Sequence, residues 1–128
     1  MVCLDTDCLI DLDRNDKKAL AKVAELSDNG ELLFTTIINV AEYYAGTFRL
    51  KTKGAAEKAR DYLQQFSILM LDEDSALLWG RLYGELKSSA IGDRDLFIAS
   101  IALANKQTLI TRNKKHFERV PGLTVESW

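Results

Sequence analysis

The sequence predicts an α/β fold: a mostly parallel sheet of four or five strands flanked by helices, in a single domain covering residues 1–128. Two observations support this prediction. Short apolar runs of strand length alternate along the chain with longer segments in which apolar residues recur at helical spacing. The 128 residues are 47% hydrophobic and 28% charged, a composition typical of a globular domain with one core.

The predicted strands are short apolar runs bounded by polar or turn residues. They lie at residues 2–4, 32–35, 68–71, 108–111 and, after a Pro-Gly turn, 123–125. The first strand passes into a loop and a helix. Because the other strands are separated by helical segments, neighbouring strands should pair in parallel.

The predicted helices lie at residues 16–28, 37–48, 55–66, 74–90 and 93–106. Asn29 and Gly30 end the first of them, and Asp74 is a plausible N-cap for the fourth. The last is apolar on nearly every side, which places it in the middle of the molecule. Since two helices precede the third strand, at least one of them must cross or turn back.

Several classes of protein are excluded by composition. The longest apolar runs are far too short to span a membrane, and Met1 leads into a strand without a basic leader, so we expect a cytoplasmic protein with no membrane contact. Cys3 and Cys8 are too few for a disulfide framework and lack the partners of a zinc site. We expect two reduced, packed thiols. The net charge of −2 argues neither for nor against a nucleic-acid partner.

Acidic side chains are expected at the carboxyl edge of the predicted sheet, where open parallel sheets bind ligands. Asp5 directly follows the first strand. Asp93 and Asp95 begin a helix that runs into the start of the fourth strand, so they should lie near that strand's far end. Glu42 lies within about two turns of the start of the helix after the second strand, on the side of Ile38 and Ala45 rather than on the main apolar stripe. Each acid alone also fits a structural role, as a cap, a turn residue or a solvated side chain.

Carboxylates gathered in one low-dielectric notch repel each other unless a cation neutralises them. Oxygen-only ligation favours Mg²⁺, or Mn²⁺, over zinc. Such a metal can orient an attacking water at a phosphodiester. A basic cluster that could grip phosphates, or merely form a solvated face, follows the fourth strand at Arg112, Lys114, Lys115 and His116. No neighbour of His116 in the sequence makes a nucleophile or metal pair with it.

Four stretches of the chain resemble the PIN domain, and more narrowly the VapC toxins of VapBC toxin–antitoxin pairs. They are VCLDTDCLIDL, TTIINVAEYYAG, IGDRDLFIASIALA and TLITRNKKHFERVPGLTVESW, in that order. Each stretch alone is a weak signal, but all four in order, from the first strand to the last residue, are a specific one.

The resemblance implies a metal site formed by Asp5, Glu42 and Asp95. Where family members often have a fourth acid, this chain has Asn113, and Thr111 is implied as a hydroxyl contact to water or metal. The missing charge makes one Mg²⁺ with bound waters the expectation rather than two metals.

Three further residues are expected around the ligands, namely Thr6, Asp7 and Asp93. Asp7 stands where the family frequently has asparagine. It either restores part of the missing charge or starts the following helix.

By the same resemblance, the protein is a homodimeric, metal-dependent endoribonuclease that cuts structured RNA, tRNA or rRNA, and leaves a 5′-phosphate and a 3′-hydroxyl. A VapB-like antitoxin would neutralise it. Two alternatives remain open. The Asp5-Thr6-Asp7 sequence also fits a phosphatase of the haloacid dehalogenase type, although the later residues of that pattern are missing. The second alternative is a PIN-like module that binds RNA or protein without catalysis.

Overall fold

Five parallel strands form one sheet in the order β3-β2-β1-β4-β5 in the computed structural model, which describes residues 1–86 and 91–128. The strands are β1 (Val2–Leu4), β2 (Leu33–Thr36), β3 (Ser67–Leu69), β4 (Thr108–Ile110) and β5 (Val125–Glu126). Every pairing is parallel. The predicted α/β class and the fifth strand are therefore confirmed, and β1 is central, with β2 and β4 as its neighbours.

The described helices are α1 (Thr6–Asp13), α2 (Lys17–Asp28), α3 (Ile37–Arg49), α4 (Ala55–Leu63), α5 (Glu73–Glu85), α6 (Asp93–Ala104) and α7 (Lys114–Phe117). The prediction that Asp74 caps α5 is wrong. Asp72 is the N-cap, because its carboxylate accepts a hydrogen bond from the Ser75 amide at 2.9 Å. The predicted end of this helix, near residue 90, lies outside the described residues. The one-turn helix α7 was not predicted.

The core consists of two apolar clusters, one on each face of the sheet. Alternate residues of β1 enter different clusters: Cys3 packs in the cluster that contains α5 and α6, whereas Leu4 packs with α1 to α4, as the period of two in a strand requires. Helix α6 contributes fully buried residues from several of its sides. This confirms its predicted place in the middle of the molecule.

Helices α3 and α4 pack against each other in the connection between β2 and β3, with the ring centres of Tyr43 and Tyr62 5.6 Å apart. The predicted departure from strict alternation is therefore present. Cys3 and Cys8 are both buried free thiols, as expected. None of the described helices combines the length and apolarity needed to cross a membrane.

Candidate functional site

Asp5 lies at the carboxyl edge of the sheet and is 8% exposed. It directly follows β1 and is also the N-cap of α1, because its Oδ1 accepts a hydrogen bond from the Thr6 amide at 2.8 Å. From β4, the Thr111 hydroxyl donates to Asp5 Oδ2 at 2.7 Å. From α3, Asn39 Nδ2 donates to Asp5 Oδ1 at 2.9 Å. Three elements therefore fix one buried carboxylate.

The role of Asn39 was not found from the sequence. Asn39 forms a capping box with Thr36, the N-cap of α3. The Thr36 hydroxyl accepts from the backbone N–H of Asn39, and the side-chain Oδ1 of Asn39 accepts from the backbone N–H of Thr36. The remaining Asn39 Nδ2 group is thereby aimed at Asp5 and at the Thr6 hydroxyl. The only signal for this in the sequence is a threonine followed three residues later by a side-chain acceptor.

Glu42, one turn after Asn39 on α3, reaches the same edge. The Thr6 hydroxyl donates to Glu42 Oε1 at 2.7 Å, and Thr6 in turn accepts from Asn39 at 2.9 Å. The other Glu42 oxygen lies 3.7 Å from the exposed guanidinium of Arg94. Glu42 is thus joined to Asp5 through a short chain of hydrogen bonds.

Asp95, in the first turn of α6, contacts His116 of α7, with Asp95 Oδ2 and His116 Nε2 2.9 Å apart. His116, which has no such partner among its neighbours in the sequence, thus has a carboxylate partner on another helix. The one-turn helix α7 brings this ring back across the edge of the sheet, and a contact over 21 positions has no local signature. The Asp93 carbonyl oxygen accepts from Trp79 Nε1 at 3.5 Å, so Asp93 lies on the side of the site that faces α5.

Asp7 adds a further carboxylate on the β4 side. It lies within the first turn of α1, and its Oδ2 accepts from the Arg112 amide at 3.0 Å and lies 3.4 Å from the Thr111 hydroxyl. Its other oxygen, Oδ1, is buried and has no hydrogen-bond partner in the described part of the chain. Burial raises the pKa of this carboxyl, against the pull of the Arg112 amide.

The site holds more negative charge than its own donors neutralise. Burial raises the pKa of Asp5 to about 6, and the charge of Asp7 adds to this effect. The hydrogen bond from Thr111 acts in the opposite direction, while the charge of Asp95 raises the pKa further. Asp5, Asp7 and Asp95 are therefore close enough to interact electrostatically, and a cation would relieve the cost of ionising them together.

The three expected ligands, Asp5, Glu42 and Asp95, are not arranged as a metal-binding group. Among the described residues, no group of three or more His, Cys, Asp and Glu side chains is arranged so that it could hold a metal ion. Glu42 and Asp95 instead contact Arg94 and His116. The donor set still suits a hard cation, since it consists of carboxylate oxygens, and the unpartnered Asp7 Oδ1 shows that one buried oxygen lacks a donor. The residues therefore fit Mg²⁺ or Mn²⁺ in type.

The basic residues after β4 have different surroundings. The Arg112 guanidinium pairs with Asp11. Lys114 and Lys115 are exposed, and Lys114 Nζ lies 3.9 Å from Glu118. The Asn113 amide donates to the Thr111 hydroxyl at 3.1 Å, which keeps Asn113 beside the site although its side chain is exposed. Contact of these residues with RNA stays a prediction.

Comparisons with known proteins agree with this architecture. The family model described as PIN domain matches residues 2–123. The chain is 31% identical to Ribonuclease VapC2 of Rickettsia felis and 33% identical to Ribonuclease VapC1 of Haemophilus influenzae. Each alignment covers 98% of this chain and 96% of the relative.

Solved structures give the same result. The crystal structure of VapBC2 from Rickettsia felis bound to a DNA fragment from their promoter has a chain that aligns with a TM-score of 0.89 at 28% identity, covering 100% of this chain and 99% of that one. The structure of VapBC-1 from nontypeable Haemophilus influenzae aligns with a TM-score of 0.84 at 28% identity, covering 100% and 98%. With its parallel sheet and its acids at the carboxyl edge, the chain belongs to the PIN-domain family and, within it, to the VapC proteins.

Proposed function

We propose that this chain is the toxin of a toxin–antitoxin pair, a Mg²⁺-dependent endoribonuclease that hydrolyses phosphodiester bonds of structured RNA, with tRNA or rRNA as the expected substrate class. The observation that carries the proposal is the buried Asp5 carboxylate, held by donors from three elements and surrounded by the acids Asp7, Glu42 and Asp95. A carboxylate buried near further carboxylates is typical of a functional site.

In this proposal Asp5, Glu42 and Asp95 hold Mg²⁺ or Mn²⁺. The metal, when bound, supplies an activated water and neutralises the charge that develops on the phosphodiester. Thr111 and Asn39 fix the orientation of the Asp5 carboxylate. Thr6 orients Glu42 and His116 orients Asp95. Thr6, Asp7 and Asp93 remain outside the ligand set, and Asn113 contributes an amide where a fourth charge is absent.

The proposed partners follow from the relatives, which were solved as VapBC complexes. We propose a VapB-like antitoxin as the protein that neutralises this chain, a homodimer as its working form, and the cytoplasm as its location. An RNA phosphate beside the site would be gripped by the basic residues Arg112, Lys114, Lys115 and His116.

The test is RNA cleavage by purified protein, with total cellular RNA as substrate and mapping of the new 5′ ends. We expect cleavage with Mg²⁺ or Mn²⁺, no cleavage with chelator, and a loss by orders of magnitude in Asp5→Asn and Asp95→Asn. The matched control is Asp28→Asn, which removes an exposed acid at the end of α2, near the start of β2 and away from the carboxyl edge.

Binding of Mn²⁺, followed by electron paramagnetic resonance, provides a second readout. We expect Asp5→Asn to weaken it and Asp28→Asn to leave it unchanged. If the wild type binds RNA but leaves it intact with either metal, and Asp5→Asn changes nothing, the chain is a non-catalytic binding module instead. Release of inorganic phosphate from a small phosphoester, without RNA cleavage, would indicate a phosphatase.

A further inference from the structure

The segment that directly follows β4, residues 111–113, touches the acid site through Thr111 and Arg112, and Asn113 supports Thr111. The Thr111 hydroxyl donates to Asp5, the Arg112 amide donates to Asp7, and the Asn113 amide donates to the Thr111 hydroxyl. We call these residues the β4-end segment. Its backbone must stay in place for Asp5 and Asp7 to keep their donors.

The outer side of the β4-end segment is fastened by the Arg112 side chain. The guanidinium pairs with Asp11 of α1, and its Cζ atom lies 5.4 Å from the centre of the Trp128 ring. Trp128 Nε1 donates to Asp11 Oδ2 at 3.3 Å. Asp11, Arg112 and Trp128 thus contact one another pairwise, and we call them the Asp11 clamp.

The clamp joins a buried residue to an exposed one: Asp11 is 8% exposed, whereas the Arg112 side chain is 55% exposed. A buried carboxylate needs hydrogen-bond or ionic partners, and Arg112 and Trp128 supply them. Trp128 packs against the apolar cluster on the α1 to α4 side of the sheet, which gives the Arg112 guanidinium a fixed aromatic face. The ion pair tethers Arg112, whose amide holds Asp7, to Asp11 of α1.

We propose that the Asp11 clamp positions the β4-end segment at the acid site, so that Asp11 and Trp128, which do not touch the acids there, control metal binding and RNA cleavage through Arg112. Asp11, Arg112 and Trp128 are positioning residues in this proposal. The effect on cleavage rests on the proposed function, whereas the effect on the segment itself does not.

The structure offers a matched control in an ion pair of the last strand, β5. Lys22 of α2 pairs with Glu126 of β5 at 2.9 Å, and the Lys22 side chain is nearly buried. Lys22→Met removes this side-chain pair but keeps the backbone of β5, where the Glu126 carbonyl accepts from the Thr111 amide at 2.9 Å. It should therefore lower the melting temperature while that backbone hydrogen bond still holds the β4-end segment.

The experiment measures hydrogen exchange of backbone amides by NMR in Trp128→Ala, Trp128→Phe and Lys22→Met. In Trp128→Ala we expect exchange at Arg112 and Asn113 to accelerate by about tenfold or more, because one cation–π contact and one hydrogen bond to a buried carboxylate are lost. Trp128→Phe keeps an aromatic face for Arg112 and should lie between Trp128→Ala and the wild type. The Leu109 amide, paired to Thr124 inside the sheet, is the internal reference.

Mn²⁺ affinity and the kcat for RNA cleavage are measured on the same variants. We expect both to fall in Trp128→Ala, with KM changing less, and to stay at the wild-type level in Lys22→Met. Unchanged exchange at Arg112 and Asn113 in Trp128→Ala, or equal acceleration in Lys22→Met, would overturn the clamp. Faster exchange with unaltered Mn²⁺ affinity would overturn its role at the site. If the variants change amide exchange as expected but the wild type cuts no RNA, the proposed function is contradicted and the clamp is still supported.

Discussion

Asp5 is the residue on which the other polar side chains of the site converge. Its two oxygens accept from the Thr6 amide, Asn39 and Thr111. Burial of a carboxylate is costly unless such donors are present, and each donor here comes from a different element. The orientation of Asp5 is therefore fixed by the fold itself.

The Thr111 hydroxyl is expected to matter for both stability and cleavage. Thr111→Val keeps the shape of the side chain but leaves buried Asp5 Oδ2 without this donor, which should lower the free energy of unfolding by about 1 to 3 kcal/mol. Urea denaturation measures this loss, and RNA cleavage should fall with it. Thr111→Ser restores the hydroxyl and should recover most of both. Equal stability in the Val and Ser variants would contradict this prediction.

His116 is expected to act through Asp95. His116→Ala removes the partner of Asp95 Oδ2, and loss of such a supporting hydrogen bond typically lowers metal affinity or activity about 10- to 100-fold. His116→Gln places an amide donor near the same position and should retain more activity than the alanine variant. Cleavage rates measured under saturating RNA compare the two. Equal rates in His116→Ala and the wild type would show that Asp95 needs no partner.

At the scale of elements, helix starts do most to build the site. Helix α1 begins at Asp5, α3 begins at Thr36, and α6 carries Asp95 in its first turn. Helix caps and site residues are both polar side chains that follow the carboxyl ends of strands. One residue can therefore have both roles. This is why the structural role of Asp5 and its role at the site, set against each other from the sequence, coexist in the folded chain.

The N-cap of α3 is expected to couple helix stability to the site. Thr36→Ala breaks the capping box and should cost about 1 kcal/mol, while freeing Asn39 to turn away from Asp5. The matched control is Asp16→Ala, which removes the N-cap of α2, whose carboxylate accepts from the Ala19 amide. Both variants should lower the melting temperature by similar amounts, but only Thr36→Ala should lower RNA cleavage. A similar loss of cleavage in both would assign the effect to stability alone.

For the whole molecule, the sequence was sufficient for the order of the strands and of the longer helices along the chain, and for the edge of the sheet that carries Asp5. Hydrophobic period and turn residues are local signals, and the strands and most helices follow them. The pairs that finish the site are not local. Asn39 with Asp5 and His116 with Asp95 are separated by 34 and 21 positions, and their meeting depends on side-chain rotamers set by packing.

The same reasoning explains two departures from the prediction, the start of α5 and the unpredicted helix α7. Asp72 and Asp74 are both acids before an apolar stripe, and either could cap the helix by sequence. Only the backbone conformation of the folded chain, which directs Asp72 toward the Ser75 amide, decides which of them is the cap. The helix α7 has four residues, too short for a hydrophobic period to appear. Its position depends on Phe117, which packs in the α5 and α6 cluster.

Helix α6 links the core to the site, since Leu96 follows Asp95 directly and is only 4% exposed. Leu96→Ala should lower the free energy of unfolding by about 2 to 5 kcal/mol, because a buried side chain is lost and a cavity remains. The matched control is Leu77→Ala on α5, where the leucine is 76% exposed and the loss should stay within about 0.5 kcal/mol. Urea denaturation measures the free energy of unfolding of both variants, analysed with the same dependence on urea concentration. Since Leu96 makes no hydrogen bond to the acids, the folded fraction of Leu96→Ala should still bind Mn²⁺. A variant that stays as stable as the wild type would mean that α6 is not the central packing element of this fold.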